Sequence, residues 1–277
     1  MQKKKSIGII GFGNMGQAIG KRLKAKYDIW VFDKDKHKTN NLSGINGAYS
    51  AVDLVNKVDA VILAVKPQDF DAALNKIKDY AKGKLIVSIA AGISTAYIER
   101  LLGNARVVRV MPNIGTKIGK SVTCLCKGKS ASDKDLGVAK EIFRRVGKIQ
   151  DLNEDKMNAA TAISGSGPGY YFDEIESNPE EYKNNTYKFK KDFIVHLRKA
   201  AKSLGFAEQK AKFLAHWTVV YSDLLLKQTK LSAGELKKQV ASKGGTTEAA
   251  LEVLHGGGTL IDAVKAAVKR ARELSRR

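Results

Sequence analysis

Up to residue 152 short apolar runs alternate with stretches of helical spacing, and beyond residue 154 the apolar runs stop. The runs are Ser6–Ile10, Asp28–Phe32, 60–65, 85–90 and Arg106–Met111. They are mostly continuous in apolar residues rather than alternating, as strands covered on both faces are. Between them, residues 14–27 place Met15, Ile19 and Leu23 on one helical face, and Phe70, Ala73, Leu74 and Ile77 do the same after Pro67. Ser94 or Thr95 is placed to cap a further helix after Gly92. Strand and helix alternating at this spacing build an α/β fold with a doubly wound sheet. Residues 122–126 and 148–152 are expected as later edge strands around a helix over 133–145. After Glu154 only helical periodicity remains, over 193–204, 208–226, 232–241, 246–254 and Leu260–Leu274. The pattern predicts two domains, 1–157 and 158–277, the second all-α, with the change falling between 153 and 163.

The first strand ends in Gly11-Phe12-Gly13-Asn14-Met15-Gly16, which opens the first helix, and Asp33 closes the second strand. Glycines at this spacing between strand and helix permit a tight turn, close approach of a pyrophosphate and close helix packing, while the helix offers free N–H groups to the phosphates. This is the Rossmann-type dinucleotide signature. Asp33 is expected to accept from the adenosine ribose 2′-hydroxyl, which favours NAD; Lys34, Lys36 and Lys38 follow at once and suit the 2′-phosphate of NADP. The choice between NAD and NADP stays open. Ala64-Val65-Lys66-Pro67 and Met111-Pro112-Asn113 end strands at the edge where such sheets bind ligands. Lys66 can meet the dinucleotide there; Asn113 can contact the nicotinamide or its ribose, or cap a turn.

Two further strings stand in the helical half. Ser164-Gly165-Ser166-Gly167-Pro168 is too glycine-rich for a helix interior and is expected as a close-packed lead-in to the second domain. Ser242-Lys243-Gly244-Gly245-Thr246-Thr247 lies between two helices, where backbone N–H groups and threonine hydroxyls converge as a carboxylate cradle; a plain helix–helix turn with a threonine cap is the alternative. Residues 176–192 are polar, with Asn178-Pro179 and Asn184-Asn185, and are expected as a loop or a broken helix. No nucleophile–base constellation appears. Hydride transfer needs chiefly that two partners be held in near-attack geometry, the cofactor supplying the chemistry.

Composition narrows the field. The 277 residues are 43% hydrophobic with four prolines, so a sizeable core can form. No apolar run approaches a membrane span, and the basic start, Met1 to Lys5, leads into a strand rather than a signal-peptide core. A cytoplasmic protein with no membrane association is expected. Cys124 and Cys126 would share one face of a strand as buried thiols, and the four histidines have no metal-ligand spacing. The net charge of +21 raises a nucleic-acid reading. Its lysines and arginines are nevertheless spread, from Lys21–Lys26 and Lys34–Lys38 to Lys269, Arg270, Arg272, Arg276 and Arg277, with no aromatic stacking platform. A solvated basic surface with no specific nucleic-acid partner is expected.

The motifs Ile9 to Gly16, Ala64 to Gln68, Val110 to Asn113, Ser164 to Pro168 and Gly244 to Thr247 together resemble the pyrroline-5-carboxylate reductases, in that family's order and over nearly the whole chain. The resemblance implies a Rossmann domain and a helical dimerisation domain, interlocked homodimers that can assemble into rings of dimers, and NAD(P)H-dependent reduction of 1-pyrroline-5-carboxylate to L-proline, the last step of proline biosynthesis. It implies cofactor contacts at Gly11, Phe12, Gly13, Asn14, Met15, Gly16, Asp33, Lys34, Ala64, Val65, Lys66, Pro67 and Asn113. It further implies substrate contacts at Val240, Ser242, Gly244, Gly245, Thr246 and Thr247, with Thr247 nearest the ring nitrogen. Lys243 stands where the family usually has proline, Gly169 where it has alanine, and Ile114-Gly115 where it has Thr-Pro. Residues 176–192 look inserted into what is normally one helix. The alternatives are a related imine or β-hydroxyacid reductase, whose Gly-x-x-x-Asn-x-x-Lys segment is not apparent after Gly165 or Gly167, and a non-catalytic basic Rossmann protein.

Overall fold

The computed structural model describes residues 4–40 and 42–275. Met1, Gln2 and Lys3 of the basic start and Arg276 and Arg277 of the terminal cluster lie outside them. The chain divides into two compact units. One is formed by the stretch ending at Met111 together with Cys124–Glu154, the other by Pro112–Thr123 and the residues from Asp155 onward.

The first unit is organised by an eight-stranded sheet. Its strands are β1 (Ser6–Ile10), β2 (Asp28–Phe32), β3 (Asn46–Gly47), β4 (Ala60–Leu63), β5 (Leu85–Ser88), β6 (Arg106–Met111), β7 (Ser121–Lys127) and β8 (Gly147–Asp151). The order is β3-β2-β1-β4-β5-β6-β7-β8. Pairing is parallel from β3 through β6, and β7 runs antiparallel to β6. The helices are α1 (Asn14–Leu23), α2 (Ala51–Lys57), α3 (Phe70–Ile77), α4 (Thr95–Leu101) and α5 (Asp133–Arg144). The apolar runs are continuous because the sheet is covered twice. Ile7, Ile9, Val31, Ile62, Val87 and Val108 pack with Ile19 and Leu23 of α1 and Phe143 of α5. Ile10, Val61, Leu63, Ile86 and Val107 pack with Leu54 of α2, Leu74 of α3 and Ile98 of α4.

Three local readings change. Helix α1 ends at Leu23, not residue 27, because the Lys26 and Tyr27 N–H groups both turn back on Leu23 O, and the Asp28 N–H pairs with Lys5 O to start β2. The segment between β2 and β4, to which the sequence assigned no element, holds β3 and α2; Ser50 caps α2 by accepting from the Asp53 N–H at 3.0 Å. Strand β7 is not at the edge, since β8 lies outside it. Its Cys124 and Cys126 are buried free thiols. The Cys126 thiol is pushed up by burial and then by Glu154, to which it donates at 3.3 Å. Ser94 is the cap of α4, accepting from the Tyr97 N–H.

The second unit is built of helices: α6 (Glu154–Ala160), α7 (Gly167–Ser177), α8 (Pro179–Asn184), α9 (Thr186–Ser203), α10 (Glu208–Gln228), α11 (Ala233–Val240), α12 (Thr246–His255) and α13 (Leu260–Leu274). The string 164–168 does not break the helical path. A π-helical turn, Thr161–Gly165, carries α6 into α7, with the Ser166 N–H bonded to Thr161 O at 2.8 Å. Pro168 sits in the first turn of α7, where its missing N–H costs nothing. The glycines serve contact rather than flexibility: a Cβ on Gly167 would lie 3.0 Å from Thr218 Cγ2, and one on Gly169 2.5 Å from Thr247 Cγ2.

Residues 176–192 form an interrupted helix, broken at Asn178 and Asn185. Pro179 starts α8, and Asn185 caps α9 by accepting from the Lys188 N–H. The segment is docked on α10 through Asp223, which is only 3% exposed. Its carboxylate accepts from Tyr182 Oη (2.7 Å) and Tyr171 Oη (3.2 Å) and pairs with Lys190 and Lys227, both at 3.0 Å. Tyr171 and Tyr182 also stack edge-on against Phe189. No described helix is long and apolar enough to cross a membrane.

Candidate functional site

In the first unit backbone crowds the glycine loop at Gly11 and Gly16. Gly11 has φ +92°, and a Cβ there would meet Ala64 C and O at 2.7 Å. A Cβ on Gly16 would collide with Gly11 O. Gly13 faces open space, with nothing within 4 Å of such a Cβ, which is the room a pyrophosphate needs. Phe12 is buried, Asn14 begins α1 with its side chain exposed, and Met15 packs partly into the core. A cavity of about 360 Å³ opens beside the loop. Of the expected cofactor residues, Gly11, Gly13, Asp33, Lys34, Ala64, Val65 and Lys66 line it, together with Lys38 and Lys76, which bring its cations to four against Asp33 and Asp69. Lys36 does not line it. Pro67 opens the 3-10 turn that follows Lys66.

Asp33 does more than face the cavity. Its Oδ2 accepts from the Phe12 N–H at 2.6 Å and its Oδ1 from the Asp35 N–H at 2.9 Å, with Lys38 Nζ at 3.6 Å. It therefore ties the glycine loop to the end of β2. Lys34 pairs with Asp69 at 2.8 Å, a bond that raises the lysine pKa, and it remains largely exposed.

In the second unit the two strings singled out in the sequence meet. The Thr247 hydroxyl donates to Ser166 Oγ at 2.9 Å, and Ser166 Oγ bonds Thr246 Oγ1 at 2.9 Å. All three side chains are buried. Val240, at the end of α11, approaches Gly169 beside Thr247. Ser242 and Gly244 are exposed, and Gly245 is the N-cap of α12. The N–H groups of the first turn of α12, on Thr246, Thr247 and Glu248, have no acceptor within the helix and point its positive end outward. Buried hydroxyls and such N–H groups together suit a small carboxylate.

Asn113 takes the cap alternative. Its Oδ1 accepts from the Gly115 and Val122 N–H groups and its Nδ2 donates to Ser164 O at 3.0 Å. Among the described residues no group of three or more His, Cys, Asp and Glu side chains is arranged to hold a metal ion.

The geometry has close counterparts in known proteins. The family model described as NADP oxidoreductase coenzyme F420-dependent matches residues 6–92, and that described as pyrroline-5-carboxylate reductase dimerisation matches residues 189–274. The pyrroline-5-carboxylate reductase of Aquifex aeolicus is 34% identical over 278 residues, covering 97% of both chains. That of Methanosarcina acetivorans is 33% identical, covering 98% of both. The chain belongs to the pyrroline-5-carboxylate reductase family. A solved reductase of this family from Coxiella burnetii shares 31% identity at a TM-score of 0.67, covering 99% of this chain and 100% of that one. The Plasmodium falciparum pyrroline carboxylate reductase, solved with NADP bound, shares 25% identity at a TM-score of 0.64, with the same coverage.

As a family member the chain has features that its sequence did not disclose. In the sequence Ser166 stands out only as part of a glycine-rich string, yet in the fold it joins both threonines. Glu248 and Arg270 were not singled out for this loop, and both bond Gly244: the Gly244 N–H donates to Glu248 Oε2 at 2.6 Å, and Arg270 Nε donates to Gly244 O at 2.8 Å. The pairing of two separated hydroxyl-bearing strings was the one available signal for Ser166; Arg270 had none.

Proposed function

We propose that this chain catalyses the reduction of 1-pyrroline-5-carboxylate to L-proline with NADH or NADPH. The observation that carries the reading is likeness over essentially the full length to reductases of that name. The open space at Gly13 and the excess of lysines in the neighbouring cavity fit a nicotinamide dinucleotide. When bound, the dinucleotide supplies a hydride to C5 of the ring. The C=N π pair becomes the ring nitrogen's lone pair, and the proton is already on nitrogen if the imine arrives as its iminium, so no dedicated general acid is required.

We assign roles to residues accordingly. Gly13, Asn14, Met15 and Gly16 bring backbone N–H groups to the pyrophosphate, while Gly11 and Phe12, whose own N–H groups are bonded to Phe32 O and Asp33 Oδ2, shape the turn beside it. Asp33 and Lys34 address the adenosine ribose, and Ala64, Val65, Lys66 and Pro67 form the neighbouring wall. Asn113 supports the cofactor side as the cap of its loop. Ser242 and the first N–H groups of α12, beginning at Thr246, hold the substrate carboxylate; Gly244 and Gly245 shape the turn that aims them, and Val240 packs against the ring. The Thr247 hydrogen points to Ser166, which leaves Thr247 Oγ1 free to accept from the iminium N–H. Residues 1–157 serve the dinucleotide, and 158–277 serve substrate and dimerisation. The protein works in the cytoplasm as a homodimer or a ring of dimers.

The test is an assay of the full chain with pyrroline-5-carboxylate and each dinucleotide. Turnover with at least one is expected. Background rates with both, in folded protein, would overturn the reading.

A further inference from the structure

The loop before α12 contains a defined turn. The Gly245 N–H donates to Ser242 O at 2.9 Å, closing a four-residue turn around Lys243 and Gly244. Gly244 has φ +68°, and Lys243 is not among the residues with positive φ. That combination is a type II turn, whose third position calls for glycine and whose second favours proline because its ring presets φ. Lys243 provides no such restraint. No described hydrogen bond uses the Lys243 N–H.

The restraint comes from elsewhere. Gly244 is gripped on both sides, its N–H by Glu248 Oε2 at 2.6 Å and its carbonyl by Arg270 Nε at 2.8 Å. Arg270 comes from α13 and is itself held by Glu273, at 3.0 Å from its Nη1. These bonds are charge-assisted, the stronger class. Both belong to the one residue that must stay left-handed.

We propose that Glu248 and Arg270 are positioning residues for the substrate loop. They hold Gly244 in its left-handed conformation and so aim the first N–H groups of α12, supplying through side chains the stiffness that a proline at 243 would supply through the backbone. The proposal rests on the assignment of 242–247 to the substrate carboxylate.

The experiment compares Glu248→Ala, Arg270→Ala and Thr247→Ala in the full-length enzyme. Loss of a charge-assisted bond predicts a KM for pyrroline-5-carboxylate about tenfold higher in the first two. Their kcat should stay within about twofold of the parent and dinucleotide affinity should be unchanged, because only the aim of the loop is lost. Adding Lys243→Pro to Arg270→Ala should return KM to near the parent value, which a merely structural role for Arg270 does not predict. Glu248→Gln keeps an acceptor for the Gly244 N–H and should retain most of the affinity; a Gln variant as impaired as Ala would overturn the turn-holding role. An unchanged or lowered KM in both Ala variants, or no rescue by proline, would do the same. If Thr247→Ala is impaired while these variants are not, only the positioning role fails. If Thr247→Ala also has parental kinetics, the assignment of the loop to substrate fails with it. Melting temperatures guard against unfolded variants, and the Gln variant and the proline rescue keep the outcome decisive.

Discussion

The chain contains two glycine loops that open helices, and they owe their shapes to different things. The loop Gly11–Gly16 is enclosed by its own strand–turn–helix unit and by the backbone of the next strand at Ala64 and Val65. The loop before α12 is open around Gly244, where an added Cβ would meet only Arg270 Nη2 at 3.4 Å. Its partners are side chains from distant segments, Ser166 of the π turn's end and Arg270 of α13. Backbone enclosure at Gly11 follows from the parallel pairing of β1 with β4, which sets Ala64 against the turn. Enclosure by remote side chains depends on the whole helical unit packing correctly.

Paired alanine substitutions test this contrast most strongly. Gly11→Ala forces a Cβ into backbone at 2.7 Å while requiring φ +92°. A cost of about 4 kcal/mol and loss of dinucleotide binding are expected, read by denaturant titration and dinucleotide fluorescence. Gly244→Ala carries only the left-handed penalty, about 1 kcal/mol. Equal costs would erase the distinction.

Next in size is Asp223→Asn, which probes the long-range dependence of the helical unit. Burial opposes the Asp223 charge, but the bonds from Tyr182, Lys190 and Lys227 outweigh it and hold the carboxyl below its usual pKa. A depressed carboxylate contributes stability above its unfolded pKa and loses it as pH falls through the folded value. The variant should be less stable by about 3 kcal/mol at neutral pH, with the gap closing in acid below about pH 4. A gap independent of pH would show that Asp223 contributes by packing rather than charge.

Thr247→Ala should lower kcat/KM for pyrroline-5-carboxylate about 30-fold and leave dinucleotide affinity intact, and Ser166→Ala should reproduce about tenfold of that loss. A silent Ser166 variant would make the second loop as self-contained as the first. The smallest effect is expected from Asp33→Ala, which should weaken NADH use more than NADPH use, by about fivefold in steady-state kinetics. An equal fall with both would confine Asp33 to tying the Phe12 and Asp35 N–H groups.

What could be read in advance tracks the range of the forces involved. The strands of the doubly wound sheet, the glycine loop and the Ser94 cap depend on neighbours in sequence, and the corresponding residues sit as their types imply. Helix α2 is not legible in the sequence because it is short and follows a two-residue strand. The string 164–168 is close-packed as its glycines imply, but it lies in the helical path although propensity counts glycine against helix. In the folded chain, contact with Thr218 and Thr247 outweighs that preference. For 176–192 the polar composition left loop and broken helix equally open; Asp223, more than thirty positions away from Lys190, ties the broken helix down.

The sequence by itself determined the α/β-then-α architecture, the glycine turn between β1 and α1 and the family, because periodicity and glycine spacing act over a few residues. Only the tertiary structure decided that Ser166 joins Thr246 and Thr247 and that Glu248 and Arg270 grip Gly244. Hydrogen bonds act over about 3 Å, so the bonds of Ser166 and Arg270 are made only once packing has brought residues far apart in sequence to that distance, while the Glu248 bond, four positions from Gly244, forms with the first turn of α12.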